Sequence, residues 1–585
     1  MVCGGITFLL FRCGRFRMRH LTGGSLHMST LGRTTLIVLL LGLSCAPADL
    51  DQADLLLQGG VVWTGVPGTL PAEAVAVRGG KIQAVGTTEA LGRLTGPGTK
   101  VVELAGRMVV PGFVDSHTHF IPGGFQLSSV DLRDAADPEE FSRRIGEFAR
   151  SIPAGTWITG GDWDHEMWGG ELPRREWIDG LTPEHPVLVS RLDGHMALAN
   201  SLALELGGVT GSTQVPEGGE MVLDPVSGEP TGILKDEAMG LVSRAIPDPS
   251  AEELDAALDA AIDYALSQGV TQTHHMGTSW AEFETFRRAQ SDGRLKMRIY
   301  SVVPISTWAR LRDYIAENGK GDDRLWWGGV KGFVDGSLGS TTAWFYDPYT
   351  DDPATSGLLT TDTASLRRWA LAADEAGLQV IIHAIGDRAN DWLLDVYEEA
   401  ENKNGPRDRR FRIEHAQHLS PSALPRFATL GVIPSMQPYH AIDDGRWAEK
   451  RIGPERIKTT YAFRSLLDAG ASLSFGSDWT VAPMDVRQGL YAAVTRRTLD
   501  GANPAGWVPE ERIELEEALK AYTFGSARAG FMEEKVGTLE EGKYADMAIL
   551  SQDLFAVDPV DLPTVQVDLT IVEGEIVYRK DGSNE

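Results

Sequence analysis

Residues 108–119 read Met-Val-Val-Pro-Gly-Phe-Val-Asp-Ser-His-Thr-His, an apolar run that ends in two histidines one residue apart. The apolar part predicts a buried strand. Residues i and i+2 of a strand point to the same side, so the rings of His117 and His119 can face one metal ion. The alternative is that both are ordinary polar residues of a strand or turn. The rest of the chain has to decide between these two interpretations.

Composition limits the classes of protein that fit. The chain has 585 residues, 42% of them apolar and 23% charged, which provides for a large core and more than one domain. The formal net charge is -28 at pH 7. Nucleic acid and anionic membranes favour basic surfaces, so this charge argues against both as partners.

The cysteines are Cys3, Cys13 and Cys45, all ahead of the predicted folded region, so any metal must be held by nitrogen and oxygen. Residues 1–45 are predicted to be a leader. Within it, residues 28–45 resemble a lipoprotein export signal, with a basic start, a short apolar stretch and small residues at the end. We therefore expect an exported protein, either lipid-anchored to a bacterial membrane at Cys45 or free in the periplasm or medium.

The two ends of the predicted folded region have the same kind of sequence pattern. Short apolar segments broken by glycines, such as Val61-Val62-Trp63 near one end and Leu569-Thr570-Ile571-Val572 near the other, predict small antiparallel strands. We predict that residues 50–108 and 532–582 together form one β-domain.

The middle of the chain alternates helix and strand. A helix with Leu254, Leu258 and Ile262 on one face stops at Gly269 before a strand, and this order recurs several times. Repeated helix, glycine and strand predicts an α/β fold, a (β/α)8 TIM barrel over residues 109–531, with a doubly wound open sheet as the alternative. Residues from about 120 to 250 break this rhythm and predict an inserted subdomain after the first barrel strand.

Polar side chains recur at the strand ends of this predicted barrel, where barrel active sites lie. Each has a structural alternative: a hydrogen-bonded histidine, an aspartate that caps a helix, or a lysine that reaches solvent. Six such residues in barrel order are harder to explain structurally, and they predict a metal centre. They are His117, His119, Lys331, His383, His415 and Asp478.

This order resembles the amidohydrolase superfamily, which carries His-x-His on the first strand, Lys on the fourth, His on the fifth and sixth, and Asp on the eighth. The narrower likeness is to amidohydrolase family 3, the N-substituted formamide deformylase-like enzymes. One departure is His274-His275, where relatives tend to carry Asp after the His. The motifs that carry the likeness are residues 111–119, 193–200, 334–340, 383–389, 435–438 and 536–546.

The resemblance implies a barrel with a β-sandwich built from both termini, and zinc-dependent hydrolysis of a non-peptide C–N bond in an amide, N-formyl compound or cyclic amide. A metal-bound hydroxide would attack the carbonyl while Asp478 acts as general base and acid. An unmodified Lys331 would leave a one-metal site. The favoured arrangement is binuclear: carbamylated Lys331 bridges two ions, one bound by His117, His119 and Asp478 and the other by His383 and His415.

His195 and His440 are further catalytic candidates. His195 lies in the predicted insertion, where a loop can fold over the site and face the developing oxyanion, and His440 follows the seventh strand. A local hydrogen bond is the alternative for each. Two other functions stay open: hydrolysis of a C–O or P–O ester or lactone at the same site, and a non-catalytic surface binding protein. A small-molecule amide is the expected substrate, and homo-oligomers are compatible with the sequence.

Overall fold

The computed structural model describes residues 52–580, so the predicted leader with Cys3, Cys13 and Cys45 lies outside the described residues. Among residues 52–580, none of the helices combines the length and apolar character that crossing a bilayer requires.

Eight parallel strands form the central sheet. Each strand pairs with the next along the chain, and a parallel bridge between Thr118 and Trp479 links the end of the first strand to the residues after the last. The predicted TIM barrel, rather than the open sheet, is confirmed. The strands are β1 (Phe113–Thr118), β2 (Val270–Met276), β3 (Arg298–Pro304), β4 (Leu325–Phe333), β5 (Gln379–Ala384), β6 (Arg412–His415), β7 (Ile433–Met436) and β8 (Ser474–Phe475).

Helices connect the barrel strands. The helix before β2, Ala251–Ser267, begins at a capping box between Ser250 and Glu253 and buries its apolar face against the barrel. It ends before Gly269, whose φ of +79° suits glycine. The other connecting helices are Trp280–Ser291, Trp308–Asn318, Thr363–Glu375, Asp387–Asn404, Leu424–Thr429, Pro438–Asp444, Ala448–Arg456 and Phe463–Asp468, and Val486–Thr495, Leu515–Lys520 and Ser526–Ala529 follow β8.

The apolar run at residues 108–119 is two strands in two sheets, not one. Met108–Pro111 pairs with Met547–Leu550 in a small sheet, and β1 begins after Gly112. A Cβ at Gly112 would lie 2.2 Å from Oγ1 of Thr271, so the chain can pass from one sheet to the other here only at a glycine. The strand that delivers the histidines is therefore continuous with a second sheet.

Two small sheets hold both ends of the described chain and pack on each other through one apolar cluster, which includes Leu57, Val77 and Ile549. A short helix, Thr88–Gly92, lies between two of their strands in sequence. The four-stranded sheet has the order Lys81–Gly86, Ala74–Arg78, Leu55–Gln58, Lys100–Glu103. The five-stranded sheet has the order Val61–Val62, Met108–Pro111, Met547–Leu550, Val567–Val572, Glu575–Arg579.

The segment between β1 and β2 has a sheet and core of its own. Its helix Pro138–Ser151 buries Phe141 and Ile145 against Trp163 in a separate apolar cluster. The helices Phe120–Gln126, Ser201–Gly207 and Gly240–Ser243 also belong to this segment. The sheet order is Gly219–Leu223, Pro230–Asp236, Met196–Ala199, Leu188–Arg191, Gly160–Trp163, Val130–Asp131.

Candidate metal centre

The structure brings all eight predicted site residues to one pocket of about 310 Å³ at the carboxyl end of the barrel. Each ligand candidate comes from a different strand except the pair on β1, so their meeting depends on closure of the barrel. The lining residues named by the sequence are His117, His119, His195, Lys331, His383, His415, His440 and Asp478.

Three of these residues form the tightest group. One potential ligand atom from each of His117, His415 and Asp478 lies within 4.8 Å of the others. His119 is adjacent, with Nε2 3.3 Å from Oδ1 of Asp478. That carboxylate oxygen is buried and accepts no hydrogen bond from residues 52–580. A buried oxygen without a partner is destabilising, and one surrounded by histidine nitrogens suits a cation. The residues therefore fit a bound metal.

Hydrogen bonds orient two of the histidines. His117 donates from Nδ1 to the carboxylate of Glu414, and His415 donates from Nδ1 to Oε1 of Gln437 at 2.8 Å. Each bond fixes the ring proton on Nδ1 and leaves Nε2 for a ligand. Burial holds the pKa of both rings well below the usual range, so both are neutral, as metal ligands must be.

The backbone at two candidate ligands is strained. His415 and Asp478 have φ angles of 72° and 59°, in the left-handed region that non-glycine residues seldom adopt. Such conformations cost about 1–3 kcal/mol each and persist where surrounding structure enforces them, often at functional sites. Burial alone would raise the pKa of Asp478, but the neighbouring His117 and His119 lower it below its usual range, so the carboxylate is ionised.

Lys331 lies inside β4 and does not reach solvent, because it is only 3% exposed. Its Nζ is 3.3 Å from Nε2 of His117. Burial lowers its pKa to about 8, against the opposing effect of Glu414 and Asp478. An appreciable fraction is therefore a neutral amine near neutral pH, which is the form that reacts with carbon dioxide.

His383 is next to this group but is bonded elsewhere. Its ring centroid is 4.6 Å from that of His415, while its Nε2 bonds the carbonyl of Gly336 at 3.0 Å. Beside it, Asp335 accepts backbone N–H bonds from three residues, and burial raises its pKa to about 7. A ligand role for His383 stays a prediction.

The insertion contributes His195, whose ring centroid is 5.2 Å from that of His383. Oδ1 of Asp236 accepts a hydrogen bond from Nδ1 of His195 at 2.6 Å. Burial disfavours the charged ring, but Asp236 outweighs it and raises the pKa of His195 to about 9. The other of the two further catalytic candidates is His440, and its Nε2 is 4.0 Å from Oδ2 of Asp478.

The departure at His274-His275 has a structural explanation. Nδ1 of His274 accepts a hydrogen bond from Arg412 at 3.0 Å, and Nδ1 of His275 accepts one from the backbone N–H of Phe120 at the same distance. Both rings are buried and neither lines the metal pocket. These histidines therefore support the barrel interior.

A second, larger cavity of about 1040 Å³ adjoins the metal pocket, and we call it the vestibule. The two share Pro122, Arg191, Leu192, Gly194 and Thr480 in their walls. Much of the remaining lining is apolar, contributed by Ile121, Phe125, Trp157, Ile246 and Leu254.

Asp164 and Asp193 attach the insertion to the barrel mouth, and Asp164 does so through an ion pair with Arg446, between β7 and β8, at 2.9 Å. Arg191, 1% exposed, donates to Asp164 at 2.9 Å and to Asp193 at 2.7 Å. Asp193 also accepts hydrogen bonds from Ser337 and Ser340, in the loop after β4, at 2.5 and 3.0 Å. The predicted motif residue Asp193 thus joins the insertion to the loop that follows Lys331.

Sequence reasoning missed three residues that touch the predicted ones: Asp236, Glu414 and Gln437. Glu414 and Gln437 stand inside or beside motifs that were recognised, and a buried charge next to a ligand histidine was the available signal. Asp236 had no such signal, because only the folded insertion brings it to His195, 41 residues away in sequence.

This barrel and its pocket define the class of the protein, which is a metal-dependent hydrolase fold. The chain resembles the solved structure of a metal-dependent hydrolase from Pyrococcus horikoshii OT3, with a TM-score of 0.70 and 30% identity, covering 86% of this chain and 99% of that one. A zinc complex of the atrazine chlorohydrolase TrzN from Arthrobacter aurescens TC1, at 15% identity and a TM-score of 0.52 over 91% of this chain and 97% of that one, shows the same fold.

Residues 100–578 match the profile of the amidohydrolase family, and the chain belongs to that family. It is 43% identical to Protein LONG AFTER FAR-RED 3 of Arabidopsis thaliana over 90% of this chain and 92% of the relative. It is 30% identical to N-substituted formamide deformylase of Arthrobacter pascens over 88% of this chain and 96% of the relative. The expectation of an amidohydrolase enzyme is confirmed.

Proposed function

We propose that the protein is a zinc-dependent hydrolase of a non-peptide C–N bond in a small-molecule amide, N-formyl compound or cyclic amide. The observation that carries the proposal is the buried Oδ1 of Asp478, which accepts no hydrogen bond from residues 52–580 and lies among His117, His119 and His415. A carboxylate held ionised in that position has no purpose in packing, and it suits both a cation and proton transfer.

His117, His119, His415 and Asp478 would hold the zinc, since neutral imidazoles and a carboxylate without thiolate suit this ion. When bound, zinc lowers the pKa of a water from 15.7 to about 7 and polarises the substrate carbonyl. That set of ligands describes a one-metal site. In the binuclear form His117, His119 and Asp478 would keep the first ion, His415 would instead join His383 on a second ion, and Lys331, as a carbamate, would supply a ligand to both. The burial and lowered pKa of Lys331 support this form.

Asp478 would act as the proton carrier. Its carboxylate accepts a proton from the attacking water and then donates it to the leaving nitrogen, which departs as a neutral amine. His440, whose Nε2 is buried and has no hydrogen bond from residues 52–580, is near enough to Asp478 to interact with substrate on that side. His195 faces the pocket from the insertion and would stabilise negative charge on the carbonyl oxygen.

The two cavities suggest which part of a substrate each of them would hold. The metal pocket of about 310 Å³ has room for the acyl part, and the vestibule of about 1040 Å³ has room for a much larger substituent. Its lining of Trp157, Phe125 and Ile121 suits an apolar group on the nitrogen. The relative named N-substituted formamide deformylase is consistent with this division.

Metal analysis followed by paired substrates tests the proposal. We expect purified protein to contain zinc, to lose activity with a chelator and to regain it with added zinc. N-formyl and N-acyl amines with apolar N-substituents should be hydrolysed faster than esters of the same shape. A protein that binds no zinc and stays inactive when zinc is supplied would refute the proposal. A protein that hydrolyses only the esters would show that the bond cleaved is C–O and not C–N.

We further propose export, with a lipid anchor at Cys45, on the sequence of residues 28–45. In a bacterial host the full chain should then enter the detergent phase on Triton X-114 partition. Replacement of Cys45 by Ala should move it to the aqueous phase, and a full chain that is always aqueous would refute the anchor.

A further inference from the structure

The backbone at Asp236 is unusual. This residue ends the inserted strand Pro230–Asp236 with φ 46° and ψ -125°, a combination that an L side chain seldom adopts and that glycine adopts readily. Nothing in a strand end requires an aspartate in such a conformation. A strained position that keeps a side chain points to a use for that side chain.

The carboxylate of Asp236 is unusual as well. Oδ1 accepts the hydrogen bond from Nδ1 of His195, and Oδ2 is buried without a hydrogen bond from residues 52–580. The residues described around it supply no lysine or arginine in an ion pair with it. Both the strain and the unpaired oxygen would disappear if the residue were glycine, so neither fold nor packing explains its presence.

What the carboxylate does provide is control of His195. The backbone N–H of Asp236 donates to the carbonyl of His195 at 3.0 Å while its side chain holds Nδ1 of the ring. Gly336 leaves the room for this contact, because a Cβ there would lie 2.9 Å from Oδ1 of Asp236. With Nδ1 held in this way, Nε2 is the ring nitrogen left for the metal pocket, which His195 lines.

We propose that Asp236 is a positioning residue that fixes the ring of His195 so that Nε2 faces the carbonyl oxygen of the bound substrate. This inference rests on the proposed amide hydrolysis. Asp236 lines neither the metal pocket nor the vestibule, so it would act only through His195. The strain at Asp236 and its unpaired oxygen are retained because the ring must be held in one orientation during turnover.

A double-mutant cycle tests the coupling. His195→Phe should lower kcat roughly 100-fold, as loss of one oxyanion donor does. Asp236→Gly should lower kcat roughly 10-fold or more with little change in KM, and Asp236→Asn, which keeps an acceptor for Nδ1, should recover part of that loss. Because Asp236 acts through His195, Asp236→Gly should have no further effect in the His195→Phe background.

Thermal stability separates this role from a structural one. Asp236→Gly should keep or raise Tm, since it removes strain, while kcat falls. Ala105→Gly is the matched control: Ala105 has a φ of 51° in an exposed turn outside both cavities, so its replacement should also keep or raise Tm but leave kcat unchanged. Wild-type kcat in Asp236→Gly, a fall in its Tm that accompanies the fall in kcat, or losses that multiply in the double variant would each overturn the proposal.

A spectroscopic measurement checks the geometry if the amides are not turned over, an outcome that refutes the proposed function alone. In protein labelled with ¹⁵N-histidine, the ring-nitrogen signals that are absent from the spectrum of His195→Phe are assigned to His195. Its spectrum should show a protonated, strongly deshielded Nδ1 in the wild type and a loss of that signal in Asp236→Gly. An unchanged Nδ1 signal in Asp236→Gly would overturn the positioning role.

Discussion

The metal pocket has two walls that are built differently. On the barrel side, each candidate ligand lies in or just after a barrel strand, and hydrogen bonds that two of the rings donate to a carboxylate or an amide oxygen orient them. On the insertion side, His195 and Asp193 come from one segment, which is joined to the barrel mouth by Arg446 at Asp164 and by Ser337 and Ser340 at Asp193. Inside that segment Arg191 pairs with both aspartates. The positions of the side chains on the barrel wall follow from the two-residue period of the strands. The positions of those on the insertion wall depend on charge pairing.

This difference indicates a division of labour. In the proposed mechanism the barrel wall would supply the atoms that hold a metal and carry a proton, and the same strand-end positions would serve many substrates. The insertion lines most of the vestibule, and in the proposed mechanism it would supply the group that faces the substrate oxygen. Changes on the barrel side should therefore affect metal binding and proton transfer, and changes on the insertion side should affect the stability of that segment, the fit of the substrate, or the group that faces the substrate oxygen.

The largest expected effect is on the barrel wall. Asp478→Asn should lower kcat by about 10³- to 10⁴-fold, because an amide cannot accept and return the proton. Zinc content should fall much less, since three histidines remain. The measurements are steady-state kinetics and metal analysis of the same sample. An unchanged kcat would refute the proton-carrier role and would weaken the division between the two walls.

The next effect is on the insertion wall. Arg191→Met removes the cation that pairs with Asp193 and leaves Asp164 with Arg446 alone, which should lower the free energy of unfolding by about 3–5 kcal/mol. Denaturant unfolding measures it. Arg143→Met is the control, because the Arg143–Glu147 pair in the same segment is about half exposed and should contribute about 0–1 kcal/mol. Equal effects in the two variants would contradict the claim that charge pairing holds this wall.

A smaller effect returns to the barrel wall. Gln437→Met removes the acceptor for Nδ1 of His415 and should weaken zinc affinity by about 10- to 100-fold, because the ring is no longer held in one tautomer and orientation. Competition with a zinc chelator gives the affinity. Gln437→Glu keeps an acceptor and should retain most of it. Equal affinities in Met and Glu variants would show that the hydrogen bond has no part in orienting the ligand.

The smallest expected effect concerns Asp444, an acid that has no ion-pair partner among residues 52–580. Asp444, on the barrel side of the pocket, accepts hydrogen bonds from Gln417 and Tyr461, and burial raises its pKa to about 7. Its folded pKa is above the unfolded value of about 3.9, so the stability that the protonated form contributes is lost as pH rises from about 3.9 through about 7, and it does not change further at higher pH.

Asp444→Asn lacks this titration, so its Tm should exceed that of the wild type by on the order of 1–2 °C at pH 8, and by less at pH 5. Thermal unfolding at the two pH values is the measurement. A Tm difference that is the same at both, or larger at pH 5, would contradict the raised pKa.

The sequence predicted the barrel wall well for a physical reason. Strand period and the glycine after each helix locate the strand ends, and barrel closure then brings together residues as distant as His117 and Asp478. The insertion wall was less accessible. His195 stood in a motif, but its partner Asp236 is defined by a backbone angle and a contact that exist only after the insertion folds. The single strand expected over residues 108–116 was also wrong, since an apolar run does not show which sheet each residue joins.

The passage at Gly112 has a consequence for dissection of the chain. The strand before it, Met108–Pro111, is covered on one edge by Met547–Leu550 from the far end of the sequence. A fragment that stopped before residue 532 would lose three of the five strands of that sheet and leave an apolar, unpaired edge one residue away from β1. Exposed edges of this kind recruit other chains, so the isolated barrel should self-associate through the segment that carries its first two candidate ligands.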